Sequence, residues 1–410
     1  MQAVNIVFLI FGVVIATHIH DVVAQGVFNV LDSGAKGDGV NDDTQAFIKA
    51  WAATCKEPTG IPKMVIPKGK RFLVMPTTFP GPCKAKNISV ELAGTILAPE
   101  SPKAWAGKDS GGWIIFANIA GLKVYGGGVI DGRGKAWWEQ SCHNPKGLNH
   151  PGCSKRQPTA IHFIKTDGGQ LRDITVQNGQ MFHVALMGLN GFEAYNIKIN
   201  APIEAPNTDG IHTMNVKNVV IADSQFRSGD DCVSIGEGSS FVYVRNCHCG
   251  PGHGVSIGSL GSGGTNVAVE EIHVEKIEFV GTMFGCRIKT YPGGKGYCRK
   301  VTYKNSNFTN VLNPIFIDQY YFSPETVNEG SAVKISDVTF EGLTGTADTL
   351  VPSAITMKCS KMLGCDRIKF NKINITPVKP GVKLVSTVKN ARGAVLGPVE
   401  PALPDLVKSA

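Results

Sequence analysis

The segments Val220-Ile-Ala-Asp-Ser, Val242-Tyr-Val-Arg-Asn and Ile272-His-Val-Glu-Lys repeat one short pattern along the middle of the chain. In each segment apolar and polar residues alternate, and an Asn, Asp, Ser or Lys follows where the chain must turn. Alternation with a period of two predicts a β-strand that is buried on one face. The recurrence of the segment at longer intervals predicts a solenoid, in which each repeat stacks on the one before it.

The same pattern extends in both directions from this stretch, about every 22 to 33 residues. Its further copies are Ile174-Thr-Val-Gln-Asn, Ile197-Lys-Ile-Asn, Val301-Thr-Tyr-Lys-Asn, Val333-Lys-Ile-Ser-Asp and Ile368-Lys-Phe-Asn-Lys. No helical periodicity separates these copies, which disfavours a wound sheet built from βαβ units. The sequence therefore predicts an all-β parallel β-helix, in which many of the 48 glycines serve as turn residues.

A solenoid needs a cap over its open end, and residues 42–54 are predicted to form a short capping helix. Asp42 is the expected N-cap, with Gln45 three residues on. Four residues define an apolar face at helical spacing: Ala46, Phe47, Ala50 and Trp51. The adjacent carboxylates Asp42 and Asp43 thereby receive a structural interpretation, so an Asp-Asp pair is not in itself a sign of catalysis.

The N-terminus carries an apolar run from Val4 to Ala16, which is shorter than the roughly 20 residues that a membrane-spanning helix needs. Val22 and Ala24 supply small residues for cleavage before Gln25, although no Lys or Arg precedes the run. We predict a signal peptide at residues 1–24 and one domain at residues 25–410. The mature protein is expected to be secreted and to have no membrane partner.

Eleven cysteines in an exported chain predict disulfides and leave at least one thiol unpaired. The expected pairs are Cys359–Cys365, Cys142–Cys153 and Cys232–Cys249, with Cys247 a candidate for the free thiol. Three N-x-S/T sequons, at Asn87, Asn307 and Asn374, predict glycosylation sites.

The formal net charge of +8 favours binding to a polyanion. Nucleic acid is excluded as a partner because the chain has no basic cluster and is predicted to be exported. An acidic wall polysaccharide suits that compartment. A role of the charge in solubility alone stays open, since net charge does not choose between the two.

Four short motifs follow one another within about eighty residues and carry the candidate chemistry. They are Asn207-Thr-Asp-Gly-Ile-His, Gly229-Asp-Asp-Cys-Val-Ser-Ile, Gly250-Pro-Gly-His-Gly-Val-Ser-Ile and Arg287-Ile-Lys. The separations Asp209–Asp230 and Asp231–His253 each match one coil, and residues one coil apart lie roughly 4.8 Å apart. Arg287 and Lys289 fall on the next coil if a loop around residues 261–264 bulges out. Crowded carboxylates resist simultaneous ionisation, which suits the acid and base of glycoside hydrolysis.

These motifs resemble the four hallmark motifs of the polygalacturonases, glycoside hydrolase family 28, and the resemblance covers nearly the whole mature chain. It implies a right-handed parallel β-helix and an inverting hydrolysis of homogalacturonan, the anionic backbone of pectin. It gives Asp230 the role of general acid, Asp209 and Asp231 the activation of water, and His253 the support of the acid. Arg287 and Lys289 are implied to bind the galacturonate carboxylate, with Tyr321 and Asn207 also at the substrate. No metal or cofactor is implied, because the two cations replace the calcium of pectate lyases.

Within that family the chain is most similar to the pollen-type exopolygalacturonases of plants, so exo action is expected. Endo action is the alternative, and the loop at residues 139–157 is a candidate for closing the cleft. A non-catalytic pectin-binding wall protein is the third reading, which the complete set of six site residues disfavours. His183 and His212 are candidates either for substrate contact or for a structural role. A monomer is the default for this architecture.

Overall fold

The computed structural model describes residues 26–105, 111–143, 157–325 and 331–408. Within these residues every strand pairing is parallel and the strands form two sheets, one of 21 and one of 11 strands. The predicted right-handed parallel β-helix is confirmed. The predicted signal peptide at residues 1–24 and Cys153 lie outside the described residues. No described helix is long and apolar enough to cross a membrane.

The larger sheet forms most of the coil wall and bends through the corners of the coils. Its strands are Val27–Asn29, Asp38–Asp42, Lys63–Ile66, Arg71–Leu73, Ile88–Leu92, Thr95–Leu97, Leu122–Tyr125, Val129–Asp131, Gly169–Gln177, Asn190–Asn200, Lys217–Ala222, Gln225–Arg227, Ser240–Cys249, Asn266–Val280, Lys295–Lys304, Asn307–Val311, Lys334–Ala347, Cys365–Pro377, Ala391–Val395, Val399–Glu400 and Val407–Lys408.

The smaller sheet forms the remaining wall and has one strand in each coil. Its strands are Thr77–Pro80, Gly112–Ala117, Thr159–Ile164, Val184–Met187, Ile211–Met214, Val233–Ile235, Val255–Leu260, Phe284–Thr290, Asn313–Asp318, Ser353–Lys358 and Val385–Lys389.

The repeated sequence segments are strands of the larger sheet, as predicted, and most of them end in a left-handed turn. Side chains with a short polar group tolerate this backbone region better than β-branched ones. The segment-ending residues with φ between 49° and 55° are Asn178, Asp223, Asn246, Lys276, Asn305, Asp337 and Lys372. Turns of successive coils are also bonded to each other, as where the Asn246 amide donates to Asp223 Oδ1 over 3.2 Å.

The interior of the coils is filled with apolar side chains that stack in rows. Phe340 stacks on Tyr303 and on Phe370 at ring-centroid distances of 5.6 and 5.2 Å. All three side chains are fully buried. Each buried aromatic side chain of this kind contributes about 1.5–3 kcal/mol relative to an exposed one. The same parallel register that stacks these inward side chains also stacks the outward side chains of successive coils.

The capping helix spans Thr44–Lys56, two residues later than predicted. Ala46, Phe47, Ala50 and Trp51 are buried against the first coils, as the pattern predicts. The prediction of Asp42 as N-cap is wrong, because the N-cap position belongs to Asp43. Asp42 Oδ1 accepts the Thr44 N–H over 3.0 Å instead, and the Asp43 carboxylate accepts the N–H groups of Lys36 and Gly37. The structure also has a short helix at Lys135–Gln140 and 3₁₀ turns at Pro102–Trp105 and Ser262–Gly264.

The disulfides Cys232–Cys249 and Cys359–Cys365 are formed as predicted. A third bridge, Cys55–Cys83, was not predicted and ties the capping helix to the neighbouring coil. Cys247 is a free, buried thiol as expected, and Cys286 and Cys298 are free and buried as well. Sequence spacing finds local bridges more readily than a bridge such as Cys55–Cys83, whose partners are 28 residues apart.

Candidate active site

Three successive turns that lead into the smaller sheet carry the three candidate acids and His253. Asp209 precedes strand Ile211–Met214, Asp230 and Asp231 precede Val233–Ile235, and His253 precedes Val255–Leu260. The register pairs Ile211 with Val233 and Val233 with Val255, so each coil here is 22 residues long. Asp209, Asp231 and His253 therefore occupy equivalent positions of successive coils. The 22-residue repeat aligns Asp209 with Asp231, so Asp230 lies one residue before that equivalent position.

Glycines beside the acids allow these turns to pack closely. A Cβ on Gly229 would lie 2.0 Å from the Ala205 carbonyl oxygen of the preceding coil. Gly254 has a φ of 81°, and a Cβ there would lie 2.2 Å from the Phe284 carbonyl oxygen. Both positions exclude a larger residue, because the neighbouring atoms are backbone. The glycines of the motifs thus fix the distance between the acid-bearing turns.

The acidic side chains meet at the surface of the smaller sheet. One oxygen each of Asp230 and Asp231 and one ring nitrogen of His253 lie within 4.8 Å of one another. His253 Nδ1 is 3.0 Å from Asp230 Oδ1, and His212 Nδ1 is 3.1 Å from Asp209 Oδ2. The structure thus brings together Asp230, Asp231 and His253, and Asp209 lies close enough for the charges of both other aspartates to act on it.

The Arg-x-Lys motif forms part of strand Phe284–Thr290 and places both cations on one face. Ile288 between them points into the core and is fully buried, as the alternation of a strand requires. Lys289 Nζ donates to Asp231 Oδ2 over 2.7 Å, and Arg287 Nη1 is 3.5 Å from Asp231 Oδ1. Arg287 pairs in register with Ser256, which confirms that the cations lie on the coil after His253.

Arg287 keeps a hydrogen-bond donor that the described residues do not use. Its guanidinium lies over the Phe284 ring at 3.8 Å from the centroid, and its buried Nε has no partner within the described part of the chain. Arg287 and Lys289 are each only 6% exposed. Two nearly buried cations share the single carboxylate of Asp231, so this side of the site is prepared to accept a further anion.

The acids of the site differ in the direction in which their pKa is shifted. Burial, together with the charges of Asp230 and Asp231, raises the pKa of Asp209 well above its ordinary value. Burial alone would raise the pKa of Asp230 as well, but the His253 hydrogen bond and the nearby cations hold it well below that value. Burial opposes the charge of His253, yet Asp230 raises its pKa. In the free site Asp209 therefore keeps its proton to a higher pH than an ordinary Asp, whereas Asp230 stays ionised to a lower pH and His253 stays charged to a higher pH than usual.

The two candidate histidines occupy structural positions beside Asp209. His183 is fully buried, with Nδ1 3.0 Å from the Asp209 carbonyl oxygen, and burial lowers its pKa to about 4. His212 touches the Asp209 carboxylate and stacks on Phe182, with ring centroids 4.2 Å apart. Burial lowers the pKa of His212 to about 4 too, so both rings are neutral near pH 5.

Tyr321 lies beside the two cations of the site. The Tyr321 ring centroid lies 5.4 Å from Lys289 Nζ and 5.6 Å from the Arg287 guanidinium carbon. Tyr320 is buried, and its hydroxyl accepts the Lys361 N–H. Asn207 is half-buried, in the turn before Asp209, with a φ of 55°. Its place at the substrate stays a prediction.

Sequence reasoning missed Ser256, whose hydroxyl donates to Asp231 Oδ1 over 2.6 Å. The sequence did contain a signal for this contact. Ser256 is three residues after His253, and it pairs in register with Arg287 of the next coil, so both side chains point outward. Among the described residues, Asp230, Asp231 and His253 are the group that could ligate a metal ion. Lys289 already occupies one Asp231 oxygen there.

Comparisons with known proteins agree with this geometry. The sequence model of glycosyl hydrolases family 28 matches residues 55–395. The polygalacturonase of Cryptomeria japonica is 38% identical over 395 residues, which cover 95% of this chain and 74% of that protein. The fold is similar to an exopolygalacturonase from Thermotoga maritima, with a TM-score of 0.69, 19% identity and coverage of 86% and 88% of the two chains. It is also similar to an endo-xylogalacturonan hydrolase from Aspergillus tubingensis, with a TM-score of 0.73, 21% identity and coverage of 91% and 99%.

Proposed function

The chain belongs to glycosyl hydrolases family 28, and on that premise we propose that it is a polygalacturonase. Its reaction is the hydrolysis of α-1,4 galacturonosyl bonds in homogalacturonan. The observation that carries this proposal is the contact of Asp231 with both Lys289 and Arg287 beside Asp230. Acids for bond cleavage and cations for a sugar carboxylate are thereby side by side.

We assign each catalytic residue a role in the reaction. Asp230 faces the glycosidic oxygen as general acid, while Asp209 and Asp231 hold the attacking water. In the free chain Asp230 is ionised, so its proton has to arrive before the bond breaks. The imidazolium of His253, whose Nδ1 lies 3.0 Å from Asp230 Oδ1, is in contact with Asp230 and can supply that proton. A substrate anion beside Arg287 and Lys289 weakens the field that keeps Asp230 ionised, which favours transfer of that proton.

Inversion of the anomeric carbon is the stereochemical outcome that we propose. The Asp230 and Asp231 oxygens lie within 4.8 Å, closer than the ~6.5–9.5 Å of most inverting glycosidases. A carboxylate pair this close favours retention, unless Asp209 shares the activation of the water. Proton NMR of the first product anomer decides: the β-anomer supports the three-carboxylate route, and the α-anomer contradicts it.

We propose exo action on chain ends as the first choice and endo action as the second. The loop that would close the cleft lies mostly outside the described residues, and the similar folds include both exo- and endo-acting enzymes. The early products from a long oligogalacturonide distinguish the two. Galacturonic acid alone supports exo action, whereas mixed oligomers support endo action.

We place the protein outside the cell, as a monomer that acts on plant wall pectin and contributes to remodelling of the wall, with pollen as the expected tissue. The sequons support this location, because Asn87, Asn307 and Asn374 are all exposed and accessible to a glycan. A shift in mass after deglycosylation of the protein from its native source tests the secretory route.

The release of reducing ends from polygalacturonate tests the proposed function itself. We expect activity on the free acid and none on fully methyl-esterified pectin, because the ester removes the charge that Arg287 and Lys289 bind. Binding of polygalacturonate without any release of reducing ends would support the non-catalytic wall protein instead.

A further inference from the structure

Strand Val255–Leu260 of the smaller sheet carries a serine that contacts one of the acids. Val255 and Ile257 are buried in the core, so the alternation of the strand turns Ser256 between them to the outer face. The Ser256 hydroxyl donates to Asp231 Oδ1 over 2.6 Å. This distance is typical of a charge-assisted hydrogen bond between a hydroxyl and a carboxylate, which is stronger than a neutral one. None of the catalytic roles proposed for the site uses this bond.

Among the described residues, three side chains from the two following coils approach the Asp231 carboxylate. Ser256 Oγ and Arg287 Nη1 lie 2.6 and 3.5 Å from Oδ1, and Lys289 Nζ lies 2.7 Å from Oδ2. A carboxylate offers about four acceptor positions. The three contacts therefore leave one position of Asp231 for the attacking water.

The three contacts differ in how a substrate affects them. Arg287 and Lys289 are each 6% exposed and also bind the galacturonate carboxylate in the proposed reaction, so that anion competes with Asp231 for their donors. Ser256 is fully buried and cannot reach a substrate. Its hydrogen bond is therefore the Asp231 contact that persists when a sugar carboxylate binds beside the acids.

We infer that Ser256 is a positioning residue. Its hydroxyl holds Asp231 in place while the substrate occupies Arg287 and Lys289, so that the free position of the carboxylate stays directed at the attacking water. This role rests on the proposed function and deepens it. Ser256 touches neither the substrate nor the water, so it acts only through Asp231. A displacement of a catalytic group by about 1 Å can lower the rate by as much as about 100-fold, which is why a single hydrogen bond matters here.

The same sheet contains a matched comparison in Ser234, which pairs in register with Ser256 from the preceding strand. Ser234 is also buried and on the outer face, but its hydroxyl donates to the Gly258 carbonyl oxygen over 3.2 Å. Loss of either hydroxyl removes one buried hydrogen bond, and only the bond of Ser256 ends on an acid. A purely structural role of Ser256 therefore predicts similar effects on kcat at both positions, whereas a positioning role predicts a loss at Ser256 alone.

The test measures the release of reducing ends from polygalacturonate by the full-length protein and by its variants Ser256→Ala and Ser234→Ala, each confirmed as folded by circular dichroism. We expect kcat of Ser256→Ala to fall at least about tenfold with KM within about twofold, because a hydrogen bond to a charged group is lost without a substrate contact. Ser234→Ala should keep kcat within about twofold. Similar kcat values for the two variants, or a rise in KM alone for Ser256→Ala, would overturn the inference while the proposed function stands. If the wild type releases no reducing ends, the proposed function itself fails.

A second pair of variants separates the hydroxyl from the size of the side chain. Threonine and valine are both β-branched and similar in size, but only threonine carries a hydroxyl. We expect kcat of Ser256→Thr to exceed that of Ser256→Val by at least about tenfold, with similar KM values. Equal kcat values in these two variants, both folded by circular dichroism, would also overturn the inference. If neither variant folds, the comparison of Ser256→Ala with Ser234→Ala decides alone.

Discussion

The chain contains two Asp-Asp pairs, Asp42–Asp43 at the capping helix and Asp230–Asp231 in the turn before strand Val233–Ile235, and their partners differ. The Asp43 carboxylate accepts backbone N–H groups of Lys36 and Gly37, over 2.6 and 3.1 Å. The Asp231 carboxylate contacts the side chains of Lys289, Arg287 and Ser256. Backbone donors fix a local turn, whereas side chains from later coils create a site for another molecule. The dipeptide itself is the same in both.

The largest expected difference between the pairs is in stability. Lys289→Met leaves Asp231 buried without its nearest cation and should lower the free energy of unfolding by about 3–5 kcal/mol. Lys36→Met is the matched control, because Asp43 uses the backbone N–H of Lys36 and the side chain is exposed. Urea titration measures both. Recovery of most of the loss in Lys289→Met with Asp231→Asn would confirm the cause, and a persistent loss would contradict it.

The second largest difference between the two Asp-Asp pairs should be in kcat. Asp230→Asn keeps the shape of the side chain but removes the acid, and we expect kcat on polygalacturonate to fall at least about 100-fold. Asp43→Asn should leave kcat within about twofold, since Asp43 touches no residue of the site. Release of reducing ends measures both rates. Comparable activity of wild type and Asp230→Asn would assign the acid role to another residue.

Stability should depend on pH through Asp209. The pKa of Asp209 in the folded chain lies above its ordinary value of 3.8, so the folded state binds that proton more tightly. Stability is therefore lost as pH rises above 3.8 towards the folded pKa. Asp209→Asn removes that loss and should stabilise the protein near neutral pH but not at about pH 3.

Asp43→Asn should instead destabilise the protein, by about 1–3 kcal/mol near neutral pH, because an amide cannot accept both backbone N–H bonds. Unfolding titrations of the two variants at both pH values provide the comparison. Stabilisation by Asp43→Asn, or destabilisation by Asp209→Asn near neutral pH, would contradict the assigned environments.

The smallest effect is expected at Asp42. One oxygen of this exposed carboxylate accepts both the N–H and the hydroxyl of Thr44. Asp42→Asn retains that oxygen as an acceptor, so the free energy of unfolding should change by less than about 0.5 kcal/mol. A loss comparable with that of Asp43→Asn would show that the charge of Asp42 matters at the helix start.

The fold was predictable because strand alternation and coil repetition are local patterns that the core enforces. The same repetition placed Asp209, Asp231 and His253 together, and it placed the loop at residues 261–264 outside the coil register. The exact position of Asp230 was not predictable, because a turn shifts a side chain by one residue without changing the repeat. Ser256 and the Cys55–Cys83 bridge were missed since each depends on a side chain reaching another coil.

The shared contact of two cations with one acid was also beyond sequence reasoning. Net charge pointed to a polyanion, but it could not show that Arg287 and Lys289 both contact Asp231.

Three acids from two successive coils, Asp209, Asp230 and Asp231, should act as one unit on a single bond. The direct test is kcat on polygalacturonate for Asp209→Asn, Asp230→Asn, Asp231→Asn and the triple variant. We expect each single variant to lose at least about 100-fold and the triple variant to lose about as much as the worst single one. Losses that multiply, or a single variant with wild-type kcat, would show that the three acids do not act as one unit.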